Sequence, residues 1–214
     1  MLVIDFGAWI GPTALYAAQL SALCLAFEPD KLAFGALQAN LAENKDAGWA
    51  DHLKIFEQGI HPSGEPIVIG GHGEGGDSTT SSLFVNRETR WTIETRRLQD
   101  VLEEYRGIYE KIFIKIDIEG GEYELLPEIA DLMADPAITF FISIHPKFLR
   151  KSLKAKHNSE PIWKSEYVDT VMKLFDALPW VRGVLDTGGT ALDKATTEEQ
   201  IKNRQFSTDG IIIQ

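Results

Sequence analysis

The sequence predicts an α/β fold: an open, mostly parallel twisted sheet with helices on both faces and an antiparallel last strand. Three observations predict it. Short apolar runs alternate with helix-like stretches along the chain. Runs such as Ile112–Asp117 and Ile138–Ile144 are apolar almost throughout, as parallel strands covered on both faces must be. Length also fits, since 214 residues suit one domain spanning 1–214 and bury enough surface to fold without a disulfide or metal staple.

The elements follow in order. Leu2–Asp5 is a short apolar strand, and Pro12–Leu20 a helix with Pro12 in its first turn. Cys24–Glu28 is a second buried strand. Asp30–Asn44 is a helix with Asp30 as N-cap and Leu32, Leu37 and Leu41 among its apolar positions. Leu53–Glu57 is the third strand. Glycine then crowds the stretch from Gly70 to Gly76, and hydroxyl residues run on to Ser82; the span 70–82 reads as a flexible loop without regular structure. Trp91–Thr95 alternates as a strand, and Leu98–Tyr105 follows as a helix. Beyond the strand Ile112–Asp117 come a helix over Glu122–Met133, the strand Ile138–Ile144 and a long helix within Pro161–Leu178. Val181–Leu185 is a strand, Thr187–Asn203 a polar loop with a short helix, and Gly210–Gln214 the closing strand. The basic stretch Arg150–Lys156 reads as a solvated helix or loop face.

Charge narrows the function classes. Lys and Arg number 21 against 32 Asp and Glu, a formal net charge of −11. That field repels phosphate backbones and anionic membranes, so nucleic acid is not an expected partner. No apolar run is long enough to span a bilayer, and the first residues lack the pattern of a secretory signal, so a cytoplasmic location is expected. Cys24 is the only cysteine, within an apolar run, which excludes an intrachain disulfide and a Cys-based zinc site.

Four motifs carry chemistry. In Val3-Ile4-Asp5-Phe6-Gly7-Ala8-Trp9-Ile10-Gly11, the glycines allow a tight turn and close approach to a ligand at a helix N-terminus. The spacing is not the dinucleotide G-x-G-x-x-G, and an acid before the first glycine suits a cationic or zwitterionic ligand such as S-adenosyl-L-methionine. Glu28, in Ala26-Phe27-Glu28-Pro29, stands at the end of the second strand, where a carboxylate accepts ribose hydroxyls. In Lys115-Ile116-Asp117-Ile118-Glu119-Gly120-Gly121-Glu122, Asp117 ends a strand at the ligand-facing edge; Glu122 and Glu124 lie in a first helical turn, where acids are favoured in any case. His145, ending the fifth strand, brings an imidazole toward the same edge. His52, His61, His72 and His157 fall in apparent loops and receive no role. Trp91, Trp163, Trp180, Phe148 and Tyr167 read as core more readily than as an aromatic pocket.

The glycine-loop motif, Ala-Phe-Glu-Pro with Phe34, Leu37, Asn40 and Asn44 after it, and the Lys-Ile-Asp-Ile-Glu-Gly-Gly-Glu block together resemble the FkbM family of S-adenosylmethionine-dependent methyltransferases over Leu2 to Pro146. The resemblance implies a Rossmann-like class I methyltransferase domain and methyl transfer to a hydroxyl of a sugar, lipid or secondary metabolite. It departs at Trp9, where the family usually has Asn, and in starting at the first strand, where relatives carry a preceding segment.

On this reading Asp5, Gly7, Ala8 and Gly11 meet the methionine end of the cofactor, Glu28 its ribose and Gln58 its adenine. His145 is the expected base, by its intrinsic pKa, with Asp117, Glu119 and Glu122 as alternatives or orienting partners. Hard oxygens with one imidazole would also suit Mg²⁺ or Mn²⁺, but nothing in the spacing requires an ion and none is assigned. The alternatives are a non-catalytic S-adenosylmethionine-binding or interaction protein and, sharing the fold and Glu28, an NAD-dependent oxidoreductase.

Overall fold

A computed structural model describes residues 1–71, 76 and 89–214. Its centre is a seven-stranded sheet built from β1 (Leu2–Phe6), β2 (Leu23–Phe27), β3 (Leu53–Phe56), β8 (Ile112–Ile116), β9 (Ile138–Ser143), β10 (Val184–Asp186) and β11 (Gly210–Ile213). The strand order is β10-β11-β9-β8-β1-β2-β3. Strands β3, β2, β1, β8 and β9 are mutually parallel, and β11 runs antiparallel to both β9 and β10. The expected antiparallel last strand is thus present, inserted between β9 and β10.

Alternation along the strands splits the core into two layers. Leu2, Ile4 and Phe6 of β1 pack with Leu98, Tyr123, Leu125, Val171 and Phe175 on one face. These come from α3 (Leu98–Glu103), α4 (Glu122–Glu128) and α7 (Glu160–Asp176). Val3 points the other way, toward Ala14 and Ala18 of α1 (Pro12–Leu20) and Phe34 and Leu37 of α2 (Lys31–Glu43). Asp30 caps α2 as expected, accepting the N–H groups of Leu32 and Ala33.

Two expectations need correction. Gly70 and Gly71 are strand residues: β5 (Ile67–Gly71) pairs antiparallel with β6 (Thr89–Ile93), Gly70 opposite Arg90 and Gly71 opposite Thr89. Pairing overrides their weak propensity; of the remaining loop assigned to 70–82, only Gly76 lies within the described residues. The helix expected over Glu122–Met133 breaks into α4 and α5 (Ala130–Met133), because Pro127 removes a donor and Ile129 leaves helical geometry at φ −118°. The basic stretch belongs to α6 (Pro146–Lys156), whose Leu149 and Leu153 are buried, and α8 (Lys194–Lys202) supplies the short helix before β11. A two-residue pairing, β4 (Gly59–Ile60) with β7 (Thr95–Arg96), was not legible at all.

The chain leaves β1 for β2 on one side and returns to β8 on the other, so the order reverses between β1 and β8. In open α/β sheets a crevice opens at the carboxyl ends of strands at such a point. Gly7 follows β1 there, and Asp117 follows β8. The two strands approach so closely that a Cβ on Gly7 would lie 1.8 Å from the Asp117 carbonyl oxygen, and Gly7 has φ +79°. Gly11 caps α1 at φ +95°, where a Cβ would meet the Leu37 side chain at 2.5 Å. Gly7→Ala combines a left-handed backbone with a backbone clash, and a loss of at least about 1–3 kcal/mol is expected in denaturant unfolding.

Candidate active site

One cavity occupies this crevice. Gly7, Ala8 and Trp9 of the first loop form one side, and Glu28, Pro29 and Gln58 extend it past the ends of β2 and β3. Ile60, Ile67, Ile69 and Ile93 make an apolar wall, while Lys115, Asp117 and Glu119 close the far end. The small sheets around β4 and β5, of which only Trp91–Thr95 was read as strand in the sequence, build that wall.

The glycine loop is shaped by Glu28. Its Oε2 accepts the Trp9 N–H at 2.8 Å, and its Oε1 accepts the Asp30 N–H at 2.8 Å. A carboxylate offers about four lone-pair directions, so two remain after these bonds. Burial pushes Glu28 up to about 7 from 4.5, against the lowering effect of the two N–H donors. Folded chains hold that proton more tightly than unfolded ones. Its stabilising contribution is present below pH 4.5 and is lost as pH rises through about 7. Trp9 itself sits at φ +50°, and its indole N–H donates to the Gly76 carbonyl at 3.1 Å. The Gly76 N–H in turn reaches the Asp30 carboxylate at 2.9 Å.

Asp5 stands behind the loop rather than in the cavity. It is wholly buried, and its Oδ1 accepts from Lys115 Nζ at 2.9 Å. Lys115 also donates to the Gly7 carbonyl at 3.3 Å and lies 3.4 Å from Asp117 Oδ2. Burial pushes the Asp5 carboxyl up, and Lys115 pulls it back. The charge expected to attract a cationic ligand is thus already answered from inside the protein.

The third motif and His145 meet as predicted. His145 Nε2 lies 3.4 Å from Asp117 Oδ1 and 3.4 Å from Glu119 Oε2. Glu119 has φ +51°, rare for a residue with a Cβ, which turns its carboxylate back toward His145. Glu122 does not reach the cavity. It is wholly buried: Oε2 accepts the Gly120 N–H at 2.7 Å, and Oε1 accepts the His145 N–H at 2.8 Å and faces His145 Nδ1 at 3.2 Å. Burial lowers the His145 pKa, but Glu122, Glu119 and Asp117 outweigh it and the net shift is upward. Phe148 stacks on the imidazole with ring centroids 5.6 Å apart.

Sequence reasoning missed His61. It lines the cavity, contacts Ser63 Oγ at 2.8 Å through Nδ1, and faces Glu124 Oε2 at 3.3 Å through Nε2. Its place beyond the third strand, on the edge that carries Asp117, was the available signal. His157 pairs with Glu166 and His52 with the Ala18 carbonyl, whereas His72 lies outside the described residues. Tyr167 is buried, and Trp163 and Trp180 pack on the core.

Comparison with known proteins decides the family. The sequence matches the family described as Methyltransferase FkbM domain over residues 5–169. The chain belongs to the FkbM methyltransferase family. A crystal structure of methyltransferase FkbM from Methylobacillus flagellatus KT is similar at 20% identity and a TM-score of 0.45, covering 66% of this chain and 32% of that one. The chain therefore spans about a third of that relative's length. No curated protein matches the sequence. Among the described residues, no helix is long and apolar enough to cross a membrane.

Removing one member of a buried ion pair strands the other. Lys115→Met is expected to cost about 3–5 kcal/mol in denaturant unfolding, and the Asp5→Asn, Lys115→Met double variant to recover most of it.

Proposed function

We propose that this FkbM-family protein transfers a methyl group from S-adenosyl-L-methionine to a hydroxyl oxygen of a small molecule or glycan. The observation that carries the reading is that one cavity is lined both by the glycine loop with Glu28 and by Asp117 and Glu119. The residues fit the cofactor: Glu28 keeps two lone-pair directions for two vicinal hydroxyls, and the isoleucine wall beside Gln58 suits a flat heteroaromatic base. Gly7 and Ala8 offer close backbone approach to the amino-acid end, with Gly11 and Asp5 holding the loop's shape from outside the cavity.

Glu28, Gly7 and Ala8 would hold S-adenosylmethionine there, and it would supply an electrophilic methyl carbon to the acceptor oxygen, with the carbon–sulfur electron pair left on sulfur and the hydroxyl proton released. Asp117, Glu119 and His145 form the place at which that proton leaves. Their negative field favours loss of a proton from a nearby hydroxyl, a weak nucleophile while it keeps it. Glu122 sets the imidazole's orientation from behind. The chain's main contribution is position, since a hydroxyl held in line with the methyl carbon replaces a bimolecular encounter.

Calorimetry tests the cofactor part. S-adenosylmethionine and S-adenosylhomocysteine are expected to bind, and Glu28→Ala to lose the binding; no binding by the folded wild type would end the reading. Ribose hydroxyls donate to the ionised Glu28, whose pKa is raised to about 7. The affinity for 5′-methylthioadenosine, which has no amino group to titrate, should rise up to about tenfold between pH 6 and pH 8. Glu28→Gln should flatten that profile.

A further inference from the structure

Asp117 and Glu119 line the far end of the cavity, and with His145 behind them they form a trio that has the geometry of a metal site. Asp117, Glu119 and His145 each offer a ligand atom, and the three atoms lie within 4.8 Å of one another. The two carboxylate oxygens stand 3.4 Å from Nε2. Charge-assisted N–H···O bonds close to about 2.7–2.9 Å, so these separations are too long for a proton shared between imidazole and acid. They do match a common ion. Two ligands each about 2.1 Å from a metal, at angles of about 90–110°, are about 3.0–3.5 Å apart.

Glu122 supplies a second observation, from outside the trio. Its Oε1 faces Nδ1 and also accepts the His145 backbone N–H. An acceptor at Nδ1 puts a ring proton there, so that Nε2, once free of its own proton, presents its lone pair toward Asp117 and Glu119. A carboxylate behind a histidine whose other nitrogen faces ligands is the arrangement that orients metal-bound imidazoles. The charge balance agrees. Asp5, Asp117, Glu119 and Glu122 bring four carboxylates to this corner, and Lys115 answers Asp5 and part of Asp117. Asp117, Glu119 and Glu122 all face the imidazole, and a cation at Nε2 would sit among their negative charges.

We propose that Asp117, Glu119 and His145 bind one hard divalent cation, Mn²⁺ or Mg²⁺. Two carboxylate oxygens and one imidazole select that class over soft-ligand metals. Three protein ligands leave coordination positions open for water or for the acceptor. The ion's role rests on the methyltransferase reading: a hydroxyl coordinated to it keeps its oxygen electron pair while its proton passes to solvent water, with His145 acting as a ligand. The binding itself does not rest on that reading.

Mn²⁺ titration of the full chain without cofactor, followed by electron paramagnetic resonance, tests the site. One Mn²⁺ per chain is expected, weakened at least about tenfold in Asp117→Asn and in His145→Gln, with Glu122→Gln weakening it through the imidazole. Thermal unfolding with and without Mn²⁺ keeps the result readable if a variant is less stable: wild type should gain stability and the ligand variants should not. No binding at millimolar Mn²⁺ would overturn the proposal, and so would binding that both ligand variants retain. Cofactor calorimetry on the same samples separates the two ideas, since S-adenosylmethionine binding without Mn²⁺ sinks only the ion, and the reverse sinks only the cofactor.

Discussion

A carboxylate with no exposed surface needs a cation, and Asp5 finds one a strand away in Lys115, 2.9 Å from its Oδ1. That pair fixes more than its own charge. Lys115 Nζ also holds the Gly7 carbonyl and approaches Asp117, so the end of β1, the glycine loop and the end of β8 are tied by one ammonium group. Parallel pairing puts Asp5 directly opposite Lys115. Register thus creates the ion pair, and the ion pair fixes the loop whose close contact with Asp117 demands glycine at position 7. The crevice exists because these two strands lie at the reversal of strand order, and it keeps its shape because the pair is buried.

The sheet was readable from the sequence because its strands are apolar runs buried on both faces, a pattern few other structures share. Asp30 and Pro12 marked helix starts by local chemistry, and those starts hold. What could not be read depends on partners distant in the chain. Gly70 and Gly71 have no strand propensity, and only the opposing Thr89 and Arg90 make them β. Gly59 and Ile60 are a strand of two residues, too short for any period, yet they carry the chain to His61. The site shows the same division. Glu28, Asp117, Glu119 and His145 stood at strand ends and could be assigned to one edge. Asp5 looked like a ligand contact because its cation lies 110 residues away, a pairing that only the β1–β8 register reveals.

The two ends of the cavity differ in kind. Around Glu28 burial is the largest cause of the raised pKa, two backbone N–H groups oppose it, and Asp30 and Asp5 add smaller upward pushes. Around His145 the charge is collective: Glu122, Glu119 and Asp117 together overcome burial of the imidazole. A carboxylate held by backbone N–H groups, with lone-pair directions left over, suits directional hydrogen bonds to hydroxyls. A convergent acid cluster suits binding or creating positive charge, whether a released proton or a cation. The two ends thus differ in how the charge is arranged: one carboxylate fixed by backbone N–H groups, against three acids that share one imidazole.

Glu122 shows how the end around His145 stays rigid. It stands in the first turn of α4, where the helix dipole favours an acid, and it has no exposed surface. Its oxygens take backbone N–H groups from Gly120, just before α4, and from His145, just after β9. The turn that carries Glu119 and the turn that carries His145 are therefore anchored to the same carboxylate, on opposite sides of it. Glu119 holds a left-handed backbone with a Cβ, a conformation costing about 1–3 kcal/mol unless its surroundings impose it. The Glu122 bond to the next residue's N–H is that imposition. Strain at Glu119, orientation of His145 and burial of Glu122 are thus one arrangement, and a residue that never touches the cavity sets the geometry of two that shape its chemistry.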